Sequence, residues 1–296
     1  GLHRGYVLQT TLDWAAVDHL LERLAPRAVV LASDAHRYAR LLVVAARARS
    51  IPTFVVQHGA LVKDDFYVPV VADKMLAWGP WCRDRFVELG TPPAKVIPTG
   101  FVRAPAQTER VARATRPTEL LFAAQPLAPS VNQDLLTTVR TALEADESLR
   151  LTIRPHPGEG RRAELERVVA GWPAAVARRT AFSSPGRSLT DDLAAAHAVV
   201  IAQSTVGIDA LAAGAPVLLL RHAKVREAIP YLEFRCAIAV EEPGDLLAGL
   251  DSLADPGFQA ELAAGASAFL AGYVGKVGTE ALASAAAEIE QALAAG

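Results

Sequence analysis

Short runs of apolar residues alternate with amphipathic stretches along most of the chain. Runs with the length of a buried strand lie at 27–33, 53–57, 74–78 and 95–99, and then at 119–124, 149–154, 176–179, 198–202 and 216–220. Helical patterns lie between them at 38–49, 81–89, 132–145, 163–170, 190–196 and 207–213, and again from 243 onward. Strands that alternate with helices form parallel sheets with helices on both faces, so we predict an α/β fold.

A polar stretch without apolar periodicity separates the two series of strands. It spans 101–118 and contains Pro105 and Pro117, which is typical of a linker. We therefore predict two Rossmann-like units, with bounds at 1–105 for the first unit, 106–117 for the linker, 118–277 for the second unit and 278–296 for a C-terminal helix. The pattern of that helix fits a return to the first unit and a dimer contact equally.

Composition narrows the class of protein. Of the 296 residues, 51% are hydrophobic and 21% are charged, and the net charge is −2. The apolar content excludes a disordered chain, and the charge argues against a nucleic-acid-binding protein, which would carry a basic domain. Cys82 and Cys236 lie far apart, without metal-ligand spacing around either, so we predict neither a disulfide scaffold nor a metal site.

The most apolar window of the chain is 198–220. Gly207, Gly214 and Pro216 fall where turns belong in this window, and glycine and proline are the strongest signals for turns. We therefore predict a strand, a loop, a short helix and a second strand there, and not a membrane-spanning helix.

Open parallel sheets bind ligands outside the carboxyl ends of their strands, near the point where the strand order reverses. Polar residues that directly follow a strand are therefore candidates for the site. In the first unit these are Asp34, His58 and Gly100, and in the second they are Gln125, His156, Ser204, Thr205, Arg221 and His222.

The sequence Arg-Pro-His-Pro at 154–157 is the sharpest local feature. A residue before proline is kept out of the helical region, so Arg154 and His156 are both expected in extended geometry at the end of a strand. A guanidinium and an imidazole in this position suit a phosphate or a ribose. The alternative is a strand exit with a solvated histidine.

A second motif, Gln-Ser-Thr-Val-Gly-Ile-Asp at 203–209, follows a strand and opens a helix. Ser204 or Thr205 can cap this helix, and the N–H groups of its first turn, up to Gly207, are expected to form an anion site. The alternative is that the hydroxyl only caps the helix. An N-cap residue can also face a ligand, so both roles can hold together.

In the first unit, a strand ends with His58 beside Gly59. Glycine permits a tight turn or a positive φ, so the imidazole is expected to point into a cleft, where it could act as a general base on a sugar hydroxyl. Asp34 would orient His58 or be the base itself, and its alternative role is to cap the following helix. We expect Asp64 and Asp65 to be solvated charges.

Two stretches resemble glycosyltransferases of the two-lobed GT-B type, of the sort that builds surface and capsular polysaccharides. The stretch at 51–59 reads IPTFVVQHG, and VIPTG follows at 96–100. This is similar to capsule and teichoic-acid polymer enzymes, in which one strand ends in His-Gly and a later strand ends at the interdomain glycine. Gly59 and Gly100 would then be interdomain positions.

The second unit adds to this resemblance. Arg154 to Pro157 resembles the His-Pro motif of transferases that use cytidine-activated donors, including sialyl-, Kdo- and glycerophosphotransferases. Ser204 and Thr205, with IDAL at 208–211 and GAPV after them, resemble the donor-phosphate loop and its helix.

The resemblance implies a fold of two Rossmann-like lobes and an inverting transfer without a metal or other cofactor. It makes His58 the base and assigns His156, Ser204 and Thr205 to the nucleotide of the donor. The donor would be a CMP-linked 2-keto sugar such as Kdo or sialic acid, and the acceptor a glycan or lipid-linked glycan. The enzyme would work in a bacterial cytoplasm, at the inner face of the membrane.

The sequence departs from that pattern at two places. Gln57 precedes the histidine, where the glycerophosphotransferases tend to carry tryptophan, which argues against glycerophosphate transfer. No obvious acidic pair for a ribose lies on the last helix of the second unit, although Glu241 and Glu242 follow a strand in the same general area.

Two other functions fit the same architecture. Non-hydrolysing UDP-N-acetylglucosamine 2-epimerases bring several carboxylates to their site, and here the candidates are Asp34, Asp64 and Asp65. The second function is that of a non-catalytic lobe, which binds a nucleotide sugar within a larger assembly. It fits the same architecture because a fold does not imply a function.

The first unit is short for a lobe of this type. Its first strand ends at Asp34, so the strands that normally precede it are missing or reduced, and four or five strands remain. We therefore expect a truncated first lobe and a chain that is part of a larger polypeptide.

Overall fold

The computed structural model describes residues 2–61, 67–103, 115–158 and 161–295. The chain forms two compact units, one made of Gly1–Arg103 with Ala271–Gly296 and the other of Ala104–Leu270. The C-terminal helix thus belongs to the first unit. Most of the predicted linker at 106–117 lies outside the described residues.

The first unit contains a four-stranded sheet with β1, β2, β3 and β4 in sequential order and all strands parallel. Its elements are α1 (Leu2–Leu24), β1 (Val29–Leu31), α2 (Arg37–Arg47), β2 (Thr53–Val56), β3 (Lys74–Ala77), α3 (Pro80–Glu88), a 3₁₀ turn (Pro93–Lys95) and β4 (Val96–Pro98). Because parallel strands run in one direction, their carboxyl ends meet at one edge of the sheet.

The second unit contains a six-stranded parallel sheet with the order β10-β9-β8-β5-β6-β7. Its elements are β5 (Glu119–Ala123), α4 (Pro129–Ala145), β6 (Arg150–Arg154), α5 (Arg161–Ala170), α6 (Ala174–Ala177), β7 (Thr180–Phe182), α7 (Leu189–Ala195), β8 (Ala198–Ile201), α8 (Val206–Ala212), β9 (Val217–Leu220), β10 (Ala237–Val240), α9 (Pro243–Ser252) and α10 (Pro256–Phe269). From β5 the chain builds one half of the sheet and then returns to build the other from β8. The order therefore reverses between β5 and β8, as in a doubly wound sheet.

A π-helical turn (Leu270–Val274) and α11 (Gly278–Ala295) return the chain to the first unit. Phe54 and Leu76 pack against Ala285 of α11, with Ile97 and Ile289 around them. These residues of α11 cover one face of the four-stranded sheet, and a second cluster joins α1, β1 and α2 through Leu21, Val29, Ala45 and Ala46.

The predicted α/β fold with two parallel sheets is confirmed, and the window at 198–220 forms β8, α8 and β9 as expected. None of the helices in the described ranges is long and apolar enough to cross a membrane. Cys82 and Cys236 are free and buried, and burial raises the pKa of each thiol to about 12.

The strand predicted at 176–179 is wrong. Ala174–Ala177 form α6, and the strand β7 follows at Thr180–Phe182. Pro173 starts the helical turn, since its carbonyl accepts from the amide of Val176, whose side chain is buried in the main core of the unit. β7 is at the edge of the sheet and partly exposed, so its apolar pattern is weak.

Candidate functional site

His58 lies two residues after the end of β2, at the carboxyl edge of the first sheet, and its side chain is exposed. Its Nδ1 is 2.6 Å from the carbonyl oxygen of Ala32, which follows the neighbouring strand β1. A carbonyl oxygen can only accept, so Nδ1 carries the proton and donates it. In the neutral ring, Nε2 is then an acceptor, which is the form that a general base requires.

Gln57 fixes the backbone on which His58 stands. Its side chain is 2% exposed, and its Oε1 accepts from the amide of Trp78 at 3.0 Å while its Nε2 donates to the carbonyl of Gly59 at 3.0 Å. The indole Nε1 of Trp78 donates to the carbonyl of Gln57 at 2.8 Å. The sequence Gln-His-Gly is therefore held to the end of β3 by a buried amide.

Gly59 has no positive φ, and a Cβ at this position would lie 3.2 Å from the hydroxyl of Tyr67. That hydroxyl donates to the carbonyl of Gly59, and the Tyr67 ring lies 5.5 Å from the imidazole of His58. The glycine thus permits the close approach of Tyr67, which flanks the histidine. Burial raises the pKa of Tyr67 to about 12, so its phenol remains a donor.

Asp34 is 1% exposed, and its carboxylate accepts from the amides of Val71 and Ala72 at 2.6 and 2.8 Å. It therefore anchors the end of the segment between β2 and β3. It does not cap α2, whose N-cap residue is His36. Asp64 and Asp65 lie outside the described residues.

Gly100 has a φ of +109°, and a Cβ there would lie 2.4 Å from the carbonyl oxygen of Lys276 and 2.7 Å from the Cβ of Ala281. The next residue, Phe101, donates its amide to the same carbonyl at 2.8 Å. Gly79, after β3, meets the backbone of Tyr273 in a similar way. Both glycines let the returning C-terminal segment pack against the ends of β3 and β4.

In the second unit, Gln125 follows β5 and Gln203 follows β8, on the two sides of the point where strand order reverses. The Oε1 of Gln125 accepts from the amide of Gln203 at 2.8 Å, and its Nε2 donates to the carbonyl of Gln203. The side-chain amide of Gln125 thus extends the pairing of β5 with β8 by one more rung.

Ser204 is buried and Thr205 is partly exposed, and both precede α8. The sequence predicts an anion site at the first-turn amides of α8, but these amides already have acceptors within the protein. The amide of Val206 donates to the hydroxyl of Ser204, that of Gly207 to the carbonyl of Ser204, and that of Ile208 to the carbonyl of Thr205. The turn is closed within the protein because Ser204 and Thr205 fold back as acceptors.

Gly207 packs against Tyr231, whose hydroxyl donates to the carbonyl of Ser204 at 2.7 Å. A Cβ at Gly207 would lie 2.5 Å from that hydroxyl and 2.6 Å from the Cδ1 of Ile201. Tyr231 is fully buried, and burial raises its pKa well above the usual value. Gly207 is required for packing, because the buried ring of Tyr231 has no room to move away from an added methyl group.

We expect Gly207→Ala to lower the free energy of unfolding by about 1–3 kcal/mol, as overpacked cores do. Gly244 is a matched control, because it lies in the first turn of α9 and has no atom near its Cβ position. Gly244→Ala should instead raise stability by about 0.4–1 kcal/mol. Chemical denaturation measures both, and equal effects of the two substitutions would contradict the packing role.

Arg154 ends β6, and its Nη1 contacts the carboxylate of Asp192, the carbonyl of Arg187 and the hydroxyl of Ser183. The Asp192 side chain is 2% exposed and also pairs with Arg187 at 2.7 Å. This network joins the ends of β6 and β7 to α7. The guanidinium of Arg154 is thus bound in an ion pair with the protein.

His156 follows in the same loop, half-buried, and its Nδ1 accepts from the amide of Gly158 at 3.2 Å. In the neutral ring, Nε2 then carries the proton and is a donor. His58 and His156 therefore have opposite tautomers. The first is suited to accept a proton, and the second to donate a hydrogen bond to an anion.

Arg221, after β9, pairs with Glu227 at 2.7 Å and with Glu241, and these carboxylates raise the pKa of the guanidinium. His222 donates from Nε2 to Asp134 at 3.2 Å, since its Nδ1 accepts from the amide of Lys224. Glu242 caps α9. The acidic residues noted in the sequence thus have partners at the carboxyl end of the second sheet.

Sequence reasoning assigned no role to four residues that shape these two sheet edges, namely Trp78, Asp192, Gln203 and Tyr231. A signal exists for one of them, because Gln203, like Gln57 and Gln125, lies within two residues of the end of an apolar strand. In the described part of the chain, no group of three or more His, Cys, Asp or Glu is placed to hold a metal ion.

No model of a known protein family matches the chain, and no curated protein sequence matches it. The chain does match solved structures. The UDP-GlcNAc 2-epimerase of Neisseria meningitidis, solved with UDP-GlcNAc bound, has a TM-score of 0.63 at 12% identity, over 95% of this chain and 81% of its own. A glycosyltransferase of Rickettsia africae has a TM-score of 0.63 at 8% identity, over 96% and 81%.

HepE of Anabaena, solved in complex with UDP-glucose, is also similar, with a TM-score of 0.60 at 14% identity over 96% of this chain and 82% of its own. Identities this low show the fold alone. The two α/β units with parallel sheets therefore have the Rossmann-like folds of GT-B proteins, as the sequence predicted.

Proposed function

We propose that this protein transfers a sugar from a nucleotide-activated donor to an acceptor hydroxyl, with His58 as the general base. The observation that carries the proposal is the 2.6 Å contact between Nδ1 of His58 and the carbonyl of Ala32. It fixes the ring of this exposed residue so that Nε2 is the acceptor, at the sheet edge where parallel α/β units bind ligands.

In the proposed reaction, Nε2 of His58 takes the proton of the acceptor hydroxyl. The oxygen then forms a bond with the anomeric carbon of the donor, and the bond from that carbon to the phosphate oxygen breaks. The electron pair leaves with the nucleotide. We assign the stabilisation of this charge to the second unit, through Nε2–H of His156 and the hydroxyls of Ser204 and Thr205.

The other predicted donor-site residues have supporting roles in this proposal. Gln125 and Gly207 hold the turn after β8, through the amide pair and the contact with Tyr231. Arg154 fixes the strand end that carries His156, because its guanidinium is bound to Asp192. In the first unit, Asp34 fixes the segment after His58 and is not the base.

We further propose a CMP-linked 2-keto sugar as donor and a glycan or lipid-linked glycan as acceptor. Support for the cytidine nucleotide comes from the Arg-Pro-His-Pro sequence at 154–157. The similar structures from Neisseria and Anabaena were solved with UDP-sugars, which favours a uridine nucleotide instead. The two assignments predict different ligands and can be separated directly.

Titration with CMP, CDP and UDP, followed by thermal unfolding, tests the nucleotide. A ligand at about 100 times its Kd should add roughly 2.7 kcal/mol to the free energy of unfolding. A shift with CMP alone supports the 2-keto sugar donor, and a shift with UDP alone replaces it with a hexose or hexosamine donor. The absence of any shift would refute every function proposed for this chain.

A UDP-GlcNAc 2-epimerase activity is the second candidate, favoured by the similarity to the Neisseria epimerase. That reaction moves a proton next to the anomeric carbon and needs no acceptor. Incubation of the protein with UDP-GlcNAc alone should yield the 2-epimer if this candidate is right, and no product if the protein is a transferase. Nucleotide binding without either reaction would identify a non-catalytic binding protein.

A further inference from the structure

In the second unit, the side chains of Gln125 and Gln203 connect the ends of two strands to a loop by consecutive hydrogen bonds. Gln125, after β5, binds both backbone groups of Gln203, after β8. The Oε1 of the Gln203 side chain in turn accepts from the amides of Ala228 and Ile229, both at 2.9 Å. These amides belong to the loop between β9 and β10, so the hydrogen bonds connect the ends of β5 and β8 to that loop.

The same loop returns to the turn after β8 through Tyr231, whose hydroxyl donates to the carbonyl of Ser204 at 2.7 Å. The backbone at Gln203 and Ser204 is therefore held from two sides, by Gln125 and by Tyr231. The hydroxyls of Ser204 and Thr205 stand on this backbone. Their position depends on the loop, and the loop depends on Oε1 of Gln203.

We infer that Gln203 is a positioning residue for nucleotide binding, which holds the loop at 222–235 against the Ser204–Thr205 turn. This inference rests on the proposed function, because it assumes that the turn contacts the donor. Gln203 acts through its neighbours and has no contact with the reacting atoms in this scheme.

The inference can be tested by substitution, because the Oε1 and Nε2 atoms of Gln203 have different surroundings. Only Oε1 of Gln203 has partners among the described residues, because its Nε2 is buried without one. A glutamate at 203 keeps an acceptor for Ala228 and Ile229, whereas a leucine of similar size does not. At 125 both amide atoms are used, so glutamate there would place an oxygen against the carbonyl of Gln203.

Hydrogen exchange of the amides of Ala228 and Ile229 measures directly whether the loop stays hydrogen-bonded to residue 203. We expect wild type and Gln203→Glu to protect both amides, and Gln203→Leu to lose at least about tenfold in protection, the equivalent of one net hydrogen bond of about 1.4 kcal/mol. Gln125→Glu should lower Tm more than Gln203→Glu. Loss of protection in Gln203→Glu, or full protection in Gln203→Leu, would overturn the inference.

Nucleotide affinity separates positioning from general stability. For CMP or UDP, whichever binds wild type more tightly, Gln203→Leu should raise Kd and the donor KM about tenfold with kcat within about twofold. Val176→Ala is the control, since it opens a cavity in the core of the same unit and should lower Tm without changing Kd.

Three outcomes are decisive. A Kd for Gln203→Leu within twofold of wild type overturns the inference and leaves the proposed function intact. An equal rise in Kd for Val176→Ala also overturns it, because the effect is then one of stability. A wild-type protein that binds neither CMP nor UDP overturns the proposed function together with the inference.

Discussion

His58→Ala is expected to abolish transfer while the protein still binds nucleotide. A positioned general base contributes roughly 10²–10⁴-fold to the rate, so kcat should fall by that factor. The histidine belongs to the first unit and the proposed nucleotide ligands to the second, so Kd for CMP or UDP should stay within about twofold. Release of nucleotide from the donor in the presence of acceptor measures the rate, and titration measures the affinity.

His19→Ala is the control for this substitution, because His19 is an exposed histidine on α1 of the same unit. It should leave kcat and Kd unchanged. The His58 side chain is exposed, and among the described residues its polar contact is with the carbonyl of Ala32, so truncation should change Tm little. A His58→Ala protein that keeps most of its turnover would show that another group is the base.

Gly100→Ala should be among the most destabilising single substitutions in the first unit. A left-handed backbone costs a residue with a Cβ about 1–2 kcal/mol, and the new methyl group would overlap the carbonyl of Lys276 and the side chain of Ala281. Overpacking adds about 1–3 kcal/mol, so we expect a total loss of about 2–5 kcal/mol. Urea denaturation of the full chain measures it.

Gly90→Ala separates the cost of the left-handed backbone from the cost of overpacking. Its φ is +94°, close to that of Gly100, but no atom lies within 4 Å of its Cβ position. Gly90→Ala should therefore cost only about 1–2 kcal/mol, the part due to backbone conformation. If both substitutions cost the same, the contact of Gly100 with the C-terminal segment adds nothing.

The α/β fold was predictable because buried parallel strands are continuous apolar runs, such as Ala-Val-Val-Ile in β8 and Val-Leu-Leu-Leu in β9. Helix α1 was not predicted. Trp14, Val17 and Leu21 pack inward, but Leu8 and Leu12 are exposed on the same helix, so no single apolar stripe marks it.

The candidate site residues were predictable where the apolar runs show the end of a strand. The pattern indicates that His58 follows a strand of the first sheet and that Gln125, His156 and Ser204 follow strands of the second, and parallel strands bring such residues to the carboxyl edge of each sheet. It does not indicate which polar atoms are already used. Arg154 is bound to Asp192, 38 residues away in the sequence, and contacts of that separation have no local signature.

The amide of Gly79 and that of Phe101 both bond to carbonyls of the returning C-terminal segment, at Tyr273 and Lys276. The first unit is therefore discontinuous, and its sheet lacks α11 until the second unit and α11 have been synthesised. The second unit is one continuous stretch with all its strand partners inside it, so we expect it to fold first on the ribosome. Phe54, Leu76 and Ile97 remain exposed until α11 packs on them, so we expect the nascent first unit to depend on chaperones more than the second unit does.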